Sequence, residues 1–271
     1  MKMNIKEIFD DERIEYFALL PYGECKETRK YLLDKKLENP VSVICFAVPY
    51  YTGKGKRLSS YAVSRDYHLY MHGLLNRICE RLSTAYPDYN FFGFADHSPI
   101  DERDACAKSG IGMIGKNGLL ITEKYSSYVF LAEIVCDAGT EIFGCFGVHG
   151  ISYCEKCGMC MKKCPMNIEG CDCLSAISQK KGKLTEEERN LLIKYDTVWG
   201  CDICQEVCPH TKRAISEKSI YTPIDFFYQN RIELLTKEKI MSMSDDEFSS
   251  RAFSWRGRET IMRNIELFEK K

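Results

Sequence analysis

The sequence predicts an α+β fold, and three observations carry that prediction. Short runs rich in β-branched and aromatic residues mark strands, a long stretch with apolar residues at helical spacing lies among them, and a cysteine-dense segment follows. Val41–Tyr51 (VSVICFAVPYY) comes directly after Pro40 and reads as a buried strand. From Tyr67 to Tyr86, residues Met71, Leu74, Leu75, Ile78 and Leu82 recur at helical spacing, which places them on one face of an amphipathic helix. Phe91–Ala95 is a second strand that ends at Asp96. Ser98 is then expected to cap a helix with Pro99 at its first position, Asp101 and Glu102 in its first turn, and Gly110 as its stop. That puts Asp96 on a strand-to-helix junction. Tyr128–Cys136 (YVFLAEIVC) is a third strand, while Ile232–Met241 and Asp245–Lys270 read as helices, the last with a basic face of Arg256, Arg258 and Arg263.

The 271 residues suffice for one large domain, or for a core domain with a small insert. Lysine and arginine number 38 against 39 aspartates and glutamates, so no global field steers the chain toward nucleic acid or an anionic membrane. A nucleic-acid role has to come from a local surface. The opening MKMNIKEIFDDERIEYF is charged throughout and no later stretch is long and apolar enough to span a bilayer, so a cytoplasmic protein without membrane association is expected. In that reducing compartment, fifteen cysteines point to metal binding rather than disulfides. Cys25, Cys45, Cys79, Cys106, Cys136 and Cys145 are scattered and read as packing residues; the other nine crowd into residues 154–208.

Within that segment, Cys154, Cys157, Cys160 and Cys164-Pro165 spell C-x2-C-x2-C-x3-C-P, the bacterial ferredoxin run whose first three thiolates hold one [4Fe–4S] cube and whose fourth reaches the other. Cys201, Cys204 and Cys208-Pro209 repeat the half-motif with its first ligand displaced upstream. Eight ligands need one more cysteine, and Cys171 and Cys173 are the nearby candidates. Cys208 then completes the set of Cys154, Cys157 and Cys160, and Cys164 joins Cys201 and Cys204. Structural zinc also uses paired C-x2-C, but this third cysteine and the following Cys-Pro suit a cubane instead. A thioredoxin-like pair at Cys201 and Cys204 leaves the flanking cysteines unexplained. Two all-cysteine cubes form an electron wire of low potential, near about −400 mV.

The region before the wire resembles a known family. Leu58–His68 (LSSYAVSRDYH), Phe94–Arg103 (FADHSPIDER), Ser109–Thr122 (SGIGMIGKNGLLIT) and Ser127–Ile134 (SYVFLAEI) resemble successive blocks of epoxyqueuosine reductase, and WGCDICQEVCPH and FSWRGRETIMRN extend the likeness over roughly residues 40–265. The resemblance implies a cobalamin-dependent oxidoreductase that reduces the epoxide of epoxyqueuosine in tRNA to queuosine, with cob(I)alamin fed by two [4Fe–4S] clusters. It implies Asp96 as the catalytic proton donor, its pKa raised in a partly desolvated pocket. It places Asp96, Arg103, Ser59, Asp101, Leu120, Leu131, Ser175 and Lys181 around the corrinoid, and it selects Cys173 as the eighth cluster ligand, leaving Cys171 as an extra thiol. The expected organisation is a corrinoid-binding reductase domain over 1–150, a two-cluster module over 151–215 and a C-terminal helical segment over 216–271 packed on the core.

Two motifs are expected to be decoys. Gly110–Gly115 (GIGMIG) has the G-x-G-x-x-G form but follows a helix, which does not suit a dinucleotide fold. Asp66-Tyr67-His68 begins like the D-x-H-x-x-G cobalamin motif, but Met71 stands where its glycine belongs, so His68 is not expected to ligate cobalt. The chain also departs from the family: it ends at Lys271, before a C-terminal helical-repeat extension, Met113 replaces a common tryptophan, and residues 138–153 form a long lead into the first cluster motif. The expected partners are tRNA or a small-molecule substrate and an external low-potential electron donor, with the protein a monomer. The rival readings are a paralogous corrinoid iron–sulfur reductase acting on another small molecule, and a non-catalytic two-cluster electron-transfer protein.

Overall fold

The computed structural model describes residues 4–144, 154–166 and 173–269. The chain opens with α1 (Ile5–Asp11), which Asn4 and Glu7 begin with a reciprocal capping box. Strands β1 (Tyr16–Pro21) and β2 (Ser42–Pro49) follow, then α2 (Tyr67–Ala85), β3 (Phe91–Phe94), α3 (Glu102–Lys108), a hairpin of β4 (Met113–Ile114) and β5 (Leu120–Ile121), and β6 (Val129–Cys136). The main sheet runs β1-β2-β6-β3 with every neighbour antiparallel, so the fold is α+β. Every residue of β2 is buried, because both faces of the sheet are covered. That is why its sequence is continuously apolar instead of alternating.

One face, with Ile44, Phe46, Val48 and Ile134, packs on α1 and α2. On α2, Met71, Leu74, Leu75, Ile78 and Leu82 are the buried residues that the spacing predicted, each contributing at most about 1.5–3 kcal/mol by leaving water. The other face, with Val43, Cys45, Ala47 and Val135, packs on Ala105 and Cys106 of α3 and on Leu33 and Leu37. Of the scattered cysteines, Cys45, Cys106 and Cys136 are buried and Cys25 and Cys79 half-buried; Cys145 lies outside the described residues.

Residues beyond the sheet form short helices: α4 (Met159–Lys163), α5 (Leu174–Gln179), α6 (Glu186–Lys194), α7 (Ile203–Glu206) and α8 (Pro209–Ser216). Their own apolar core is small, built on Leu174, Ile177, Leu184 and Leu192. Further on come α9 (Lys237–Ser242), α10 (Asp245–Ser249) and α11 (Arg258–Glu266). Ile240, Phe253 and Ile261 of this region pack with Leu58, Ala62, Val63 and Trp199 in one cluster. Among the described residues no helix is long and apolar enough to cross a membrane.

Three local expectations are corrected. The helix after β3 begins at Glu102 under an Asp101 cap, not at Pro99 under Ser98, because the Ser98 hydroxyl donates to Glu133 and the Pro99 carbonyl accepts the Thr28 and Arg29 amides. The helix expected from Asp245 onward ends at Ser249 and resumes only at Arg258, after Gly257, whose φ of +83° favours glycine. Its basic face is also largely engaged: Arg258 donates to the Ile240 and Met243 carbonyls, and Arg263 to those of Lys180 and Gly182. These arginines tie short segments together.

Candidate active site

The cysteine runs fold so that each contributes to two groups of thiols. Cys208 lies near Cys154 and Cys157, while Cys204 lies near Cys164 and Cys173, and Cys201 near Cys173 and Cys204. Cys160 lies on α4, which packs against α7, and Cys171 falls outside the described residues. Burial pushes the Cys201 thiol up to about 12 and the Cys204 thiol up to about 11, so neither ionises readily on its own. Buried thiolates need a compensating positive charge, which bound iron supplies. Among the described residues no three side chains converge as ligands of a single metal ion. The thiols neighbour one another without meeting at a point, and a cubane takes its ligands at separate corners.

Cys164, Cys173, Cys201 and Cys204 form one wall of a cavity of about 410 Å³ between the short helices and the sheet domain. The facing wall is apolar and aromatic, with Tyr50, Leu119, Val129 and Phe130, while Ser59, Asn117, Ser127 and Ser175 add polar groups. The volume is of the size that binds small organic molecules, and the mixture suits a largely apolar macrocycle with amide edges. Asp202, in the tight turn between two thiols, anchors the floor. It accepts the Ser59 hydroxyl and, at 2.7 Å, the Ser60 amide, and Gln205 bridges from Asp202 to Ser127 at 3.1 and 2.9 Å. Gly200 makes this approach possible: at φ +74°, a side chain there would meet Ser59 Cβ at 2.4 Å.

Asp96 lies in the bend two residues beyond β3, in the left-handed region at φ +64°, a conformation that aspartate tolerates better than most residues. His68 Nε2 stands 3.4 Å from its carboxylate, and His68 Nδ1 is 2.8 Å from Asp66, which also caps α2. The Tyr67 hydroxyl lies near Asp96, and the Tyr67 ring stacks on Phe130 at 4.0 Å. A continuous ring contact therefore runs from the cavity wall to Asp96. Hydrogen bonds to Asp66 and Asp96 push His68 up to about 9, and His68 in turn holds Asp96 below the usual carboxylate range. The expectation that desolvation raises Asp96 is thus corrected, since its side chain is 67% exposed and cation-paired. At neutral pH the proton of this pair sits on the imidazole.

Of the other residues singled out from sequence, Ser59 and Ser175 line the cavity. Leu120 and Leu131 pack on the second face of the sheet, while their neighbours Leu119 and Phe130 reach the cavity. Arg103 donates to the Gly118 carbonyl at 2.9 Å and so holds the loop carrying Asn117, which lines the cavity with Cys204. Asp101 caps α3 and pairs with Lys26 at 3.4 Å, and Lys181 is exposed outside the cavity lining. The GIGMIG segment enters the β4–β5 hairpin, where a side chain at Gly112 would meet the Ile121 carbonyl at 2.4 Å. Sequence reasoning missed Asp202 and Gln205, flagged only by their place within C-D-I-C-Q. It also missed Glu133, a lone acid in an otherwise apolar strand.

Fold and site together define a class: α+β proteins in which a thiol-lined cavity is set against an antiparallel sheet. The family model described as "Epoxyqueuosine reductase QueG, DUF1730" matches residues 32–97. The epoxyqueuosine reductase of Lactococcus garvieae is 31% identical over 212 residues, covering 74% of this chain and 57% of that relative. The structure of epoxyqueuosine reductase from Streptococcus thermophilus superposes with a TM-score of 0.76 at 22% identity, covering 97% of this chain and 79% of that one. An epoxyqueuosine reductase structure with an epoxyqueuosine-modified tRNA-Tyr stem loop gives 0.73 at 20% identity, over 97% and 80%. Over most of its length the chain is similar to epoxyqueuosine reductases, and it spans little more than half the length of the Lactococcus relative.

Proposed function

We propose that this protein is a cobalamin-dependent iron–sulfur oxidoreductase that reduces the epoxide of epoxyqueuosine in tRNA to the alkene of queuosine. The observation that carries the reading is the cavity, which has four cysteine thiols on one wall and, through Phe130 and Tyr67, the His68–Asp96 pair at the edge of the other. Cys154, Cys157, Cys160 and Cys208 hold one [4Fe–4S] cluster, and Cys164, Cys173, Cys201 and Cys204 the second. When bound, the clusters and cobalamin would supply the electrons that reduction of the epoxide needs. Support for this cofactor set comes from the buried, mutually adjacent thiols and from the apolar wall opposite them.

The protein's own groups manage the proton. Losing the epoxide oxygen as water requires protons at that oxygen, and an imidazolium hydrogen-bonded to Asp96 is a store for one at neutral pH. Asp96 presents the proton, and His68, oriented by Asp66, replenishes it. Tyr67 and Phe130 keep water from the cavity side of the pair. Ser59, Ser127 and Gln205, ordered by the buried Asp202, orient whatever occupies the cavity. The proposed working state is a cytoplasmic monomer supplied by an external low-potential donor.

The test is anaerobic reconstitution with iron, sulfide and cobalamin, followed by turnover of epoxyqueuosine-containing tRNA with a chemical reductant and nucleoside mass spectrometry. Queuosine formation that depends on both added cofactors is the expected result. A loaded protein that never converts the tRNA overturns the substrate, and a spectrum of cob(II)alamin unchanged by saturating protein overturns the cofactor.

A further inference from the structure

Behind Asp96 lies a second pair of acids that the reaction scheme does not use. Glu133 sits in the middle of β6, between Cys45 of β2 and Phe94 of β3, and is 1% exposed. An isolated buried carboxylate is costly, and its position faces the apolar side of the sheet under α3. Its Oε1 accepts the Ser98 hydroxyl, and its Oε2 lacks a well-formed hydrogen bond among the described residues, with the Glu102 carboxyl beside it. Glu102 is the first residue of α3, and its Oε1 accepts the Asp96 amide at 2.8 Å. Ser98 in turn accepts the Ile100 amide at 3.1 Å. The two acids therefore grip the Asp96–Asp101 segment at two points, one at the residue in left-handed conformation and one two residues later.

We infer that Glu133 and Glu102 are positioning residues that act as one latch: their carboxyls, one taking the Ser98 hydroxyl and the other the Asp96 amide, fix the loop that carries Asp96. This rests on the proposed role of Asp96, although the latch itself is a property of the loop. Two apposed carboxyls in an apolar layer cannot both stay ionised, so one keeps its proton at neutral pH. Burial and the Asp96 charge push Glu102 up to about 7, and burial and the Glu102 charge push Glu133 well above the usual range. The groups facing the pair are Asp96 on the loop, Arg29 from the preceding segment, Cys45 on β2, Cys106 on α3 and Cys25. Arg29 is the only cation among these, and it is exposed. Loss of the second proton therefore places two charges together with little compensation and opens the latch.

The readout is amide hydrogen exchange of residues 94–101 in the full chain, corrected for intrinsic rates. Glu133→Leu fills the space but cannot accept the Ser98 hydroxyl. It is expected to speed exchange of this segment about tenfold while leaving the melting temperature the same or higher, as replacement of buried charge by apolar groups often does. Glu133→Gln keeps the acceptor and stays neutral, so it should restore wild-type protection. Ser98→Ala cuts the same tie from the loop side without touching the core, and should resemble the leucine variant. Between pH 6.5 and 9 the corrected protection should fall in wild type and stay flat in Glu133→Gln. A protected loop in Glu133→Leu and Ser98→Ala, or identical pH profiles for wild type and Glu133→Gln, overturns the latch. Turnover separates the two readings: loss of kcat at constant KM in Glu133→Leu ties the latch to the reaction. Should the exchange results hold while wild type turns over no tRNA, the functional reading falls and the latch stands.

Discussion

The two walls of the cavity are built by different physics. On the sheet side, Tyr50, Val129 and Phe130 stand on a domain with two large apolar clusters, one on each face of an antiparallel sheet. On the thiol side, α4 and α7 have five and four residues, and the local apolar core rests on four side chains. Helices that short are not stable by themselves in water. The sheet wall is thus shaped by burial of side chains, whereas on the proposed reading the thiol wall depends on what its cysteines hold. One wall can be mutated through its packing; the other only through its ligands.

The largest effect should follow from attacking the thiol wall. Cys173→Ala is expected to lower iron content after anaerobic reconstitution from about eight to about four per chain, with circular dichroism of the sheet domain retained. Cys171→Ala should keep all eight, and the reverse outcome would transfer the ligand role between them. On the sheet wall, Asp96→Asn preserves shape and most hydrogen bonding, so iron content and melting temperature should be unchanged while product formation drops by about 10²–10⁴. An equal rate in the variant refutes the proton role of Asp96. Leu74→Ala, in the core under α2, should cost about 2–5 kcal/mol in chemical denaturation and leave the cluster spectra of the folded fraction untouched. If the spectra change as well, the two walls are not independent.

The smallest effect is a pH slope. His68 is raised in the folded state, so the stability it contributes is complete below its unfolded value of 6.5 and disappears as pH climbs through about 9. Asp96 is lowered, and its contribution is present above 3.8 and lost as pH falls below that. His68→Gln should flatten the decline of the melting temperature between pH 6.5 and 9, and an unaltered slope removes the imidazole from the account.

The same contrast explains what could be read from the sequence. β2 announces itself because burial on both faces leaves a long apolar run, β6 because its run is apolar but for Glu133, and α2 because five apolar residues keep one face. The proposed ligand cysteines stand out in the sequence because a cubane draws three of its ligands from one local run. Missed elements depend on distant partners. β1 is a six-residue strand at the sheet edge, and the β4–β5 hairpin has two residues a side, too few to show a period. Ser98 looked like a helix cap because its local surroundings say so, yet Glu133 of another strand takes its hydroxyl. Asp96 was expected to be protonated from its presumed burial, and His68, placed beside it by α2, reverses that.

The exchange of thiols between the two cysteine runs has a mechanical consequence. Cys208 stands with Cys154 and Cys157, whereas Cys164 stands with Cys204, so the early run and the late run are laced across each other. With both groups of thiols engaged on their proposed clusters, residues 154–164 and 201–208 are joined by two crosslinks, and the chain between them becomes a closed loop whose freedom in the unfolded state is cut. Releasing one crosslink leaves the other still closing that loop; only the loss of both opens it. The lacing that brings electron carriers side by side thus also makes the thiol wall fail in two stages.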